Sequence, residues 1–186
     1  MKSVAVLLAP GFEEIEAVTV IDVLRRAEVR VTVAGLREGE ITGSHDITVR
    51  PDRTLDQIRP EEFDMVVLPG GLPGTDHLRE DPRVVAFVQE MARAGKYTCA
   101  ICAAPTVLKA AGVATGKAVT SHPVVGEDLK DLDYREDRVV VDGPVVTSRG
   151  AGTAMEFALE LVRILAGPEK ADLIAGMMFA EYAPSS

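Results

Sequence analysis

The feature that most constrains the fold of this chain is the alternation of short β-branched runs with helical patterns. Four of the runs are almost continuously apolar, and they span residues 3–9, 29–35, 64–70 and 96–102. Strands have this composition when both faces of their sheet are covered. Helical patterns lie between and after these runs, at residues 13–28, 81–95, 104–112 and 152–167. Strands and helices in alternation predict βαβ units and a mainly parallel sheet.

The second half of the chain adds three strand-like runs, at residues 118–121, 137–143 and 144–150. In DRVVVDGPVVTS, two runs flank Asp142-Gly143, which is a strong signal for a small β-hairpin. From Gly167 onward, GPEKADLIAGMMFAEYAPSS starts with a Gly-Pro break and predicts an extra C-terminal helix followed by a loose tail. No linker or repeat divides the chain, so we predict a single domain over residues 1–186.

Charge and hydropathy exclude several classes of protein. The net charge of −9 argues against a nucleic-acid partner, because binding phosphates requires a basic surface. No stretch approaches the ~20 apolar residues of a membrane span, so we predict no membrane partner. The apolar run in MKSVAVLLAPGFEE stops after a few residues and meets acids, which indicates a first strand rather than a secretory signal. Two cysteines in such a chain predict free thiols and a cytoplasmic location.

The two cysteines, Cys99 and Cys102, lie together in TCAICAAP. A zinc site needs four ligands, and the chain offers no second cysteine pair and only three scattered histidines, so we predict no metal. A redox pair is disfavoured because residues three apart in a strand are separated by about 10 Å, which exceeds the span of a disulfide. For Cys99, inside the apolar run, we predict a small buried packing residue.

Cys102 lies where the strand gives way to a helix, between the small residues Ala100 and Ala104. A nucleophile elbow has this layout, in which small neighbours allow a sharp turn that presents the side chain at the edge of the sheet. Backbone N–H groups at the start of the following helix favour a thiolate there. Ligands of open α/β sheets also bind beyond the carboxyl ends of the strands. The pattern alone leaves a reactive thiol and a packing residue equally open.

Five motifs, in order and in register, resemble the ThiJ/PfpI superfamily. They are VAVLLAPGFEEIEAV, VVLPGG, AICAAPTVL, VTSHPV and VTSRGAGTAMEFAL. Within that superfamily the chain resembles the branch of the Parkinsonism-associated protein deglycase and its bacterial YajL-like relatives, and the likeness runs from about residue 2 to 167. The resemblance implies a flavodoxin-like three-layer α/β sandwich that usually forms a homodimer.

The resemblance also implies a set of site residues. The oxidation-sensitive cysteine corresponds to Cys102, and its partner glutamate corresponds to Glu16, although Glu13 and Glu14 look equally plausible from periodicity. An oxyanion-binding loop is implied at Gly70-Gly71 and at Ala103, and His122 matches a histidine near the pocket. The predicted catalytic residues are therefore Cys102, Glu16 and His122. The predicted oxyanion-binding residues are Gly70, Gly71 and Ala103.

The activity implied by the resemblance is the cofactor-free, glutathione-independent conversion of 2-oxoaldehydes, such as methylglyoxal, to 2-hydroxy acids. Glycated side chains are a second substrate class. A sensor of oxidative stress or a chaperone-like protein, acting through Cys102 sulfinate, is the alternative. A Cys-His peptidase is disfavoured, because Ala103 stands where such members of the superfamily carry histidine. Arg50 stands where animal members carry a second cysteine, so redox behaviour attributed to that position does not transfer.

Overall fold

A computed structural model describes residues 1–181 of the chain. Eleven strands and six α-helices form within those residues. The strands are β1 Ser3–Leu8, β2 Arg30–Gly35, β3 Ile41–Thr42, β4 Thr48–Val49, β5 Arg53–Thr54, β6 Met65–Leu68, β7 Tyr97–Ile101, β8 Ala118–Val119, β9 Asp133–Tyr134, β10 Val139–Asp142 and β11 Val145–Ser148. The helices are α1 Glu14–Arg26, α2 Gly74–Glu80, α3 Pro82–Arg93, α4 Pro105–Ala110, α5 Ala154–Ala166 and α6 Pro168–Met177.

Seven strands form the central sheet in the order β10-β11-β7-β6-β1-β2-β5. All neighbouring pairs are parallel except β10 and β11, which form the predicted antiparallel hairpin. Two small two-stranded sheets, β3-β4 and β8-β9, lie outside it. The prediction of a mainly parallel α/β sheet with a hairpin and a C-terminal helix is therefore confirmed.

Both faces of the sheet are covered, which explains why its strands are continuously apolar. In β1, the alternate residues Val4, Val6 and Leu8 join a core with α1, α5 and α6. The intervening Ala5 and Leu7 join a second core with α3 and α4 on the opposite face. Since successive side chains of a strand point to opposite faces, a strand between two helical layers has no solvent side. The fold is the three-layer, flavodoxin-like sandwich that was predicted.

The strand order places a crevice beside β1. From β1 the chain moves to one side, to β2, and then crosses to the other side, to β6. The connections after β1 and β6 therefore diverge, and ligands of doubly wound sheets bind in the crevice formed at such a point. The turn after β7 lies next to this crevice, because β7 pairs with β6. The residues that follow these three strands build the candidate site.

Local departures from the predictions have simple causes. The hairpin turn consists of Gly143 and Pro144 rather than Asp142 and Gly143, because Asp142 pairs with Val145. The side chain of Asp142 accepts a hydrogen bond from Ala118 N, which keeps this residue in the strand. Helix α2 was not predicted, since its sequence GTDHLRE shows no apolar period. The predicted loose tail includes residues 182–186, which lie outside the described residues.

Within residues 1–181, no helix is both long enough and apolar enough to cross a membrane.

Candidate active site

Cys102 occupies a strained turn directly after β7. Its φ is 65°, a left-handed conformation that is uncommon for a residue with a side chain. Cys102 N donates to Ser148 O at 3.0 Å, and Ala104 N donates to Ile101 O at 3.0 Å, so the turn is held from both sides. Ala103 and Ala104 are buried beneath it, and the small residues leave room for this packing. The turn has the elbow geometry predicted from sequence, and the thiol is half-buried rather than freely exposed.

Glu16 lies on the first turn of α1 and is completely buried. Its Oε2 accepts a hydrogen bond from Gly70 N at 2.8 Å. A side chain at position 70 has no space, since a Cβ there would lie 2.6 Å from Cys102 Cβ and 2.7 Å from Glu16 Oε2. The carboxyl group and the thiol therefore face each other across the backbone of Gly70. Glu16 Oε1 is buried and accepts no hydrogen bond from the described residues.

Burial raises the pKa of both groups. Burial, above all, raises the pKa of Glu16 to about 7, against hydrogen bonds from Gly70 N and the Cys102 thiol that lower it. Burial, and then the negative charge of Glu16, raise the pKa of Cys102 to about 12. An ionised Glu16 therefore suppresses the thiolate that the sequence predicted. Once the carboxyl carries a proton, that repulsion disappears, and burial alone opposes the thiolate.

Two backbone N–H groups point at the sulfur of Cys102. Hydrogen bonds from Gly71 N and Ala103 N lower the pKa of the thiol, against the larger effects of burial and of Glu16. Gly71 has a φ of +91°, and a Cβ there would lie 2.4 Å from Glu13 N, so only glycine can present its N–H in this position. The third predicted oxyanion donor, Gly70 N, is instead engaged with Glu16. The anion-stabilising pair in this geometry is Gly71 and Ala103.

His122 lies beside the Cys102 turn, in the connection after β8. Its backbone N donates to Cys102 O at 2.8 Å, and its Nδ1 accepts a hydrogen bond from Val124 N at 3.2 Å. The ring is exposed, and its Cδ2 edge faces Gly150, whose Cβ would lie 3.5 Å away. The structure thus brings the three predicted catalytic residues, Cys102, Glu16 and His122, to one edge of the sheet.

The three acids of GFEEIE, which sequence periodicity could not distinguish, have three different roles. Glu13 caps α1, since its Oε2 accepts a hydrogen bond from Glu16 N at 2.8 Å. Glu14 is buried, and its Oε1 accepts from His45 N at 2.6 Å and from Ile47 N at 3.3 Å. These bonds tie the loop between β3 and β4 to α1 and, with the His45 ring, they hold the pKa of Glu14 below its usual value despite its burial. Only Glu16 reaches the thiol.

Because Glu14 fastens a loop to α1, we expect Glu14→Ala to lower the free energy of unfolding by about 2–3 kcal/mol. The change removes the hydrogen bonds that the His45 and Ile47 N–H groups donate to a buried carboxylate, and hydrogen bonds to charged groups are stronger than neutral ones. Urea unfolding monitored by circular dichroism measures the loss. Glu38→Ala is the control, since Glu38 is exposed and makes no hydrogen bond to the described residues. Equal stability of the two variants would contradict the assigned role.

Cys99 is fully buried in the core beneath α1 and α5, as predicted. Burial raises the pKa of its thiol well above the usual value, so it remains protonated near neutrality. Both cysteines are free, and the Cys99 side chain is enclosed by the core. Cys99 therefore contributes packing to the fold and does not contribute to the candidate site.

One group in residues 1–181 has donor atoms close enough for a metal ion, namely Glu13, Glu14 and His45, whose ligand atoms lie within 4.8 Å of one another. His45 Nδ1 lies 2.9 Å from Glu14 Oε2, an ordinary hydrogen-bonded distance. The group is at the N-terminus of a helix, where the helix dipole disfavours a cation. We interpret it as a hydrogen-bonded cluster that fastens a loop.

Residues 2–164 match the model of the DJ-1/PfpI family. The chain is 46% identical over 184 residues to Protein dj-1beta of Drosophila melanogaster, covering 97% of this chain and 98% of that protein. The crystal structure of the same fly protein superimposes with a TM-score of 0.94, covering 97% of this chain and 99% of that one.

Two further relatives carry informative names. The Glutathione-independent glyoxalase DJR-1.2 of Caenorhabditis elegans is 38% identical over 172 residues, covering 91% of each chain. The oxidized form of Toxoplasma gondii DJ-1 has 34% identity and a TM-score of 0.94, covering 98% of this chain and 100% of that one.

Proposed function

The chain belongs to the DJ-1/PfpI family, and from that premise we propose that it converts 2-oxoaldehydes to 2-hydroxy acids without glutathione, metal or cofactor. Methylglyoxal, with lactate as its product, represents the substrate class. The single observation that carries the proposal is the position of the Cys102 thiol opposite the buried Glu16 carboxyl, across the backbone of Gly70 and beside the N–H groups of Gly71 and Ala103. A nucleophile, an acid-base group and an anion site are together what such a reaction requires.

The first proposed step forms a hemithioacetal. The proton of the pair moves to Glu16, and the resulting Cys102 thiolate attacks the aldehyde carbon of methylglyoxal. A C–S bond forms, and the π electrons of the carbonyl move to its oxygen, which takes the proton from Glu16. N–H groups at Gly71 and Ala103 stabilise the negative charge while it develops on oxygen.

The second step moves hydrogen between two neighbouring carbons. Glu16, now a carboxylate, removes the proton from the carbon bonded to sulfur, and the electron pair forms an enediolate whose negative charge lies on the former ketone oxygen. The hydroxyl proton of the sulfur-bearing carbon passes to that oxygen, and the protonated Glu16 returns its proton to the adjacent carbon, which gives a 2-hydroxy thioester. Water then cleaves the C–S bond, releasing lactate and the Cys102 thiol, so methylglyoxal and one water account for all atoms and no oxidant is needed.

The test is the turnover of methylglyoxal by the purified protein without glutathione and with a metal chelator present. We expect disappearance of methylglyoxal and formation of lactate in equal amounts. Loss of aldehyde without lactate would mean that the thiol only traps the compound, and would reject the proposed reaction.

Glycated cysteine, lysine and arginine side chains form a second substrate class, because their early adducts present the same carbon skeleton. Assays on them must remove free aldehyde first.

A redox role is the alternative, supported by the half-buried thiol with two N–H groups directed at its sulfur. In this role, peroxide oxidises Cys102 to a sulfinate, whose oxygens bind the N–H groups and a protonated Glu16. Peroxide titration followed by intact-mass measurement tests it. A gain of two oxygen atoms confined to Cys102, together with negligible aldehyde turnover, would favour the sensor over the enzyme.

A homodimer is also part of the proposal. Ile15 and Val18 of α1 are exposed, as are Ile47, whose N donates to Glu14 Oε1, and Leu72, which follows Gly71 beside Glu13 N at the start of that helix. A cluster of exposed apolar side chains on a single chain indicates an interface. We propose that a second copy of the chain covers this α1 face.

For the dimer, we expect sedimentation of the wild-type protein at micromolar concentration to give twice the mass of the chain. Val18→Arg places a charge within the α1 face and is expected to yield monomers. Leu173→Arg is the matched control, since Leu173 is an exposed apolar residue on α6, away from that face. A monomeric wild-type protein, or equal dissociation by both variants, contradicts the proposed interface.

A further inference from the structure

Two buried hydroxyl groups lie behind the Cys102 turn, both in the motif VTSRGAGT. Ser148 is the last residue of β11 and is completely buried, and Thr153 is 6% exposed. Thr153 is the N-cap residue of α5, where a threonine hydroxyl ordinarily accepts a hydrogen bond from the first turn of the helix. The Thr153 side chain makes no such bond and contacts Ser148 and Gly150 instead, which indicates a different role.

The two hydroxyl groups form a chain of hydrogen bonds. Ser148 Oγ donates its only proton to Arg138 O at 2.7 Å. Ser148 Oγ and Thr153 Oγ1 are 2.7 Å apart, so the proton between them comes from Thr153. Thr153 Oγ1 in turn accepts a hydrogen bond from Gly150 N at 3.1 Å, and Gly150 O lies 2.9 Å from the same oxygen. The end of β11, the loop after it and the start of α5 are thereby joined through two buried side chains.

The backbone of Ser148 connects this chain of hydrogen bonds to the cysteine. Ser148 pairs with Ile101 in the sheet, and its carbonyl oxygen accepts a hydrogen bond from Cys102 N at 3.0 Å, one residue beyond that pair. The φ of 65° at Cys102 is a strained conformation, which persists only where the surrounding structure holds it. A Ser148 carbonyl that cannot rotate maintains the turn and keeps the sulfur beside Gly71 N and Ala103 N.

We propose that Ser148 and Thr153 are positioning residues, whose hydroxyl pair holds the Ser148 carbonyl against Cys102 N and so keeps the thiol at the two N–H groups that stabilise its anion. Among the described residues, the partners of both hydroxyls are each other and backbone groups, so neither hydroxyl is a catalytic group. The consequence for turnover rests on the proposed function, whereas the consequence for the thiol does not.

Alkylation of Cys102 by iodoacetamide near pH 8, followed by intact-mass measurement, tests this inference without turnover. Thr153→Val keeps the shape of the side chain and loses the hydroxyl. We expect its alkylation rate to fall about 10-fold, because the reactive thiolate becomes scarcer when the sulfur leaves the two N–H groups. Thr153→Ser retains the hydroxyl and should react within about 2-fold of wild type. An unchanged rate in Thr153→Val, or an equally slow Thr153→Ser, would overturn the positioning role.

Ser148→Ala is the second variant, because the two hydroxyls are expected to act as one unit. Each single variant should react about 10-fold more slowly than wild type, and the double variant should react no more slowly than either one. A double variant that reacts about 100-fold more slowly would mean that the two effects are independent, and would overturn the role of the hydroxyl pair.

Ser3→Ala separates positioning from stability. Ser3 is also buried, and its Oγ donates to Glu62 O at 2.8 Å, at the opposite end of the parallel strands. Urea unfolding is expected to show a loss of stability in both Ser3→Ala and Thr153→Val, with slow alkylation in Thr153→Val alone. Equally slow alkylation in Ser3→Ala would overturn the positioning role. An inactive wild-type protein would reject the proposed function and leave this comparison of thiol reactivity valid.

Discussion

Replacing Cys102 by serine is expected to reduce lactate formation from methylglyoxal by about 10³-fold or more. The hydroxyl of serine is far less acidic than a thiol, and Glu16, which has to receive the proton, is too weak a base to remove it. The variant keeps the size of the side chain and the strained turn, whose hydrogen bonds are made by the backbone. The loss should therefore appear in kcat with an unchanged fold, as measured by circular dichroism and by a coupled lactate assay.

Cys99→Ala is the matched control for this experiment. Cys99 is the other thiol in the chain, it lies three residues away, and it is fully buried within β7. We expect this variant to lose roughly 1 kcal/mol of stability from the small cavity and to retain turnover. Undiminished activity in Cys102→Ser would rule out the covalent mechanism. Equal losses in both variants would show that the assay reports stability and not chemistry.

The extent to which sequence predicted the fold depends on the length of each pattern. Continuous apolar runs identified every long strand of the sheet, and the caps Asp81 and Gly167 placed the ends of two helices within one or two residues. Strands of only two residues, such as Arg53–Thr54, contain no period from which they could be inferred. Helix α2 buries only Gly74, Thr75 and Leu78, so its sequence has too few apolar residues to indicate a helix.

Within the site, the sequence predicted Cys102 from local features and failed to predict its partner from them. An elbow depends on neighbours in the chain, here the small Ala100 and Ala104. The burial of Glu16 depends on Gly70 and Cys102, which are distant in sequence, and nothing in GFEEIE indicates which acid faces them. The resemblance to a family selected Glu16, and the contacts now separate it from Glu13 and Glu14.

The expected thiolate was the part of the site that sequence described least well. N–H groups do point at the sulfur, as predicted, but burial and the charge of Glu16 outweigh them and raise the pKa of Cys102 to about 12. Local backbone geometry is visible in a pattern, whereas desolvation arises from every layer packed around the turn. The reactivity of this thiol is therefore a property of the pair, and Glu16 controls it.

Glu16→Gln is accordingly expected to make the protein more stable at and above neutral pH while reducing turnover about 10²- to 10⁴-fold. The pKa of Glu16 rises from 4.5 to about 7 in the fold because ionisation is unfavourable in a buried site. The folded state therefore binds more protons than the unfolded state in that range, and this residue's contribution to stability is complete below pH 4.5 and is lost as the pH rises toward 7. At about 1.4 kcal/mol for each pH unit between the two pKa values, the loss is roughly 3 kcal/mol.

Glutamine stays neutral over this whole range and can still accept the hydrogen bond from Gly70 N, so the variant avoids the loss. Its advantage over wild type should be near zero at pH 4.5 and approach roughly 3 kcal/mol above pH 7, measured by urea unfolding at a series of pH values. Glu38→Gln removes the same charge from an exposed position and should leave the wild-type pH dependence unchanged. Carboxylates whose pKa is lowered in the fold, such as Asp64, make the protein less stable as the pH falls. Their effect on the pH dependence of wild-type stability opposes that of Glu16, so the two variants have to be compared with each other.

The same substitution is expected to lower the pKa of Cys102, because it removes the charge that opposes the thiolate. Ultraviolet absorbance of the thiolate during a pH titration measures this, with Cys102→Ser providing the background. A more ionised thiol combined with lower turnover would show that activity is lost because Glu16 no longer transfers protons and not because the thiol is less reactive. An unchanged thiol pKa, or an unchanged pH dependence of stability, would mean that the charge of Glu16 does not act on the thiol, and the proposed mechanism would then lose its basis.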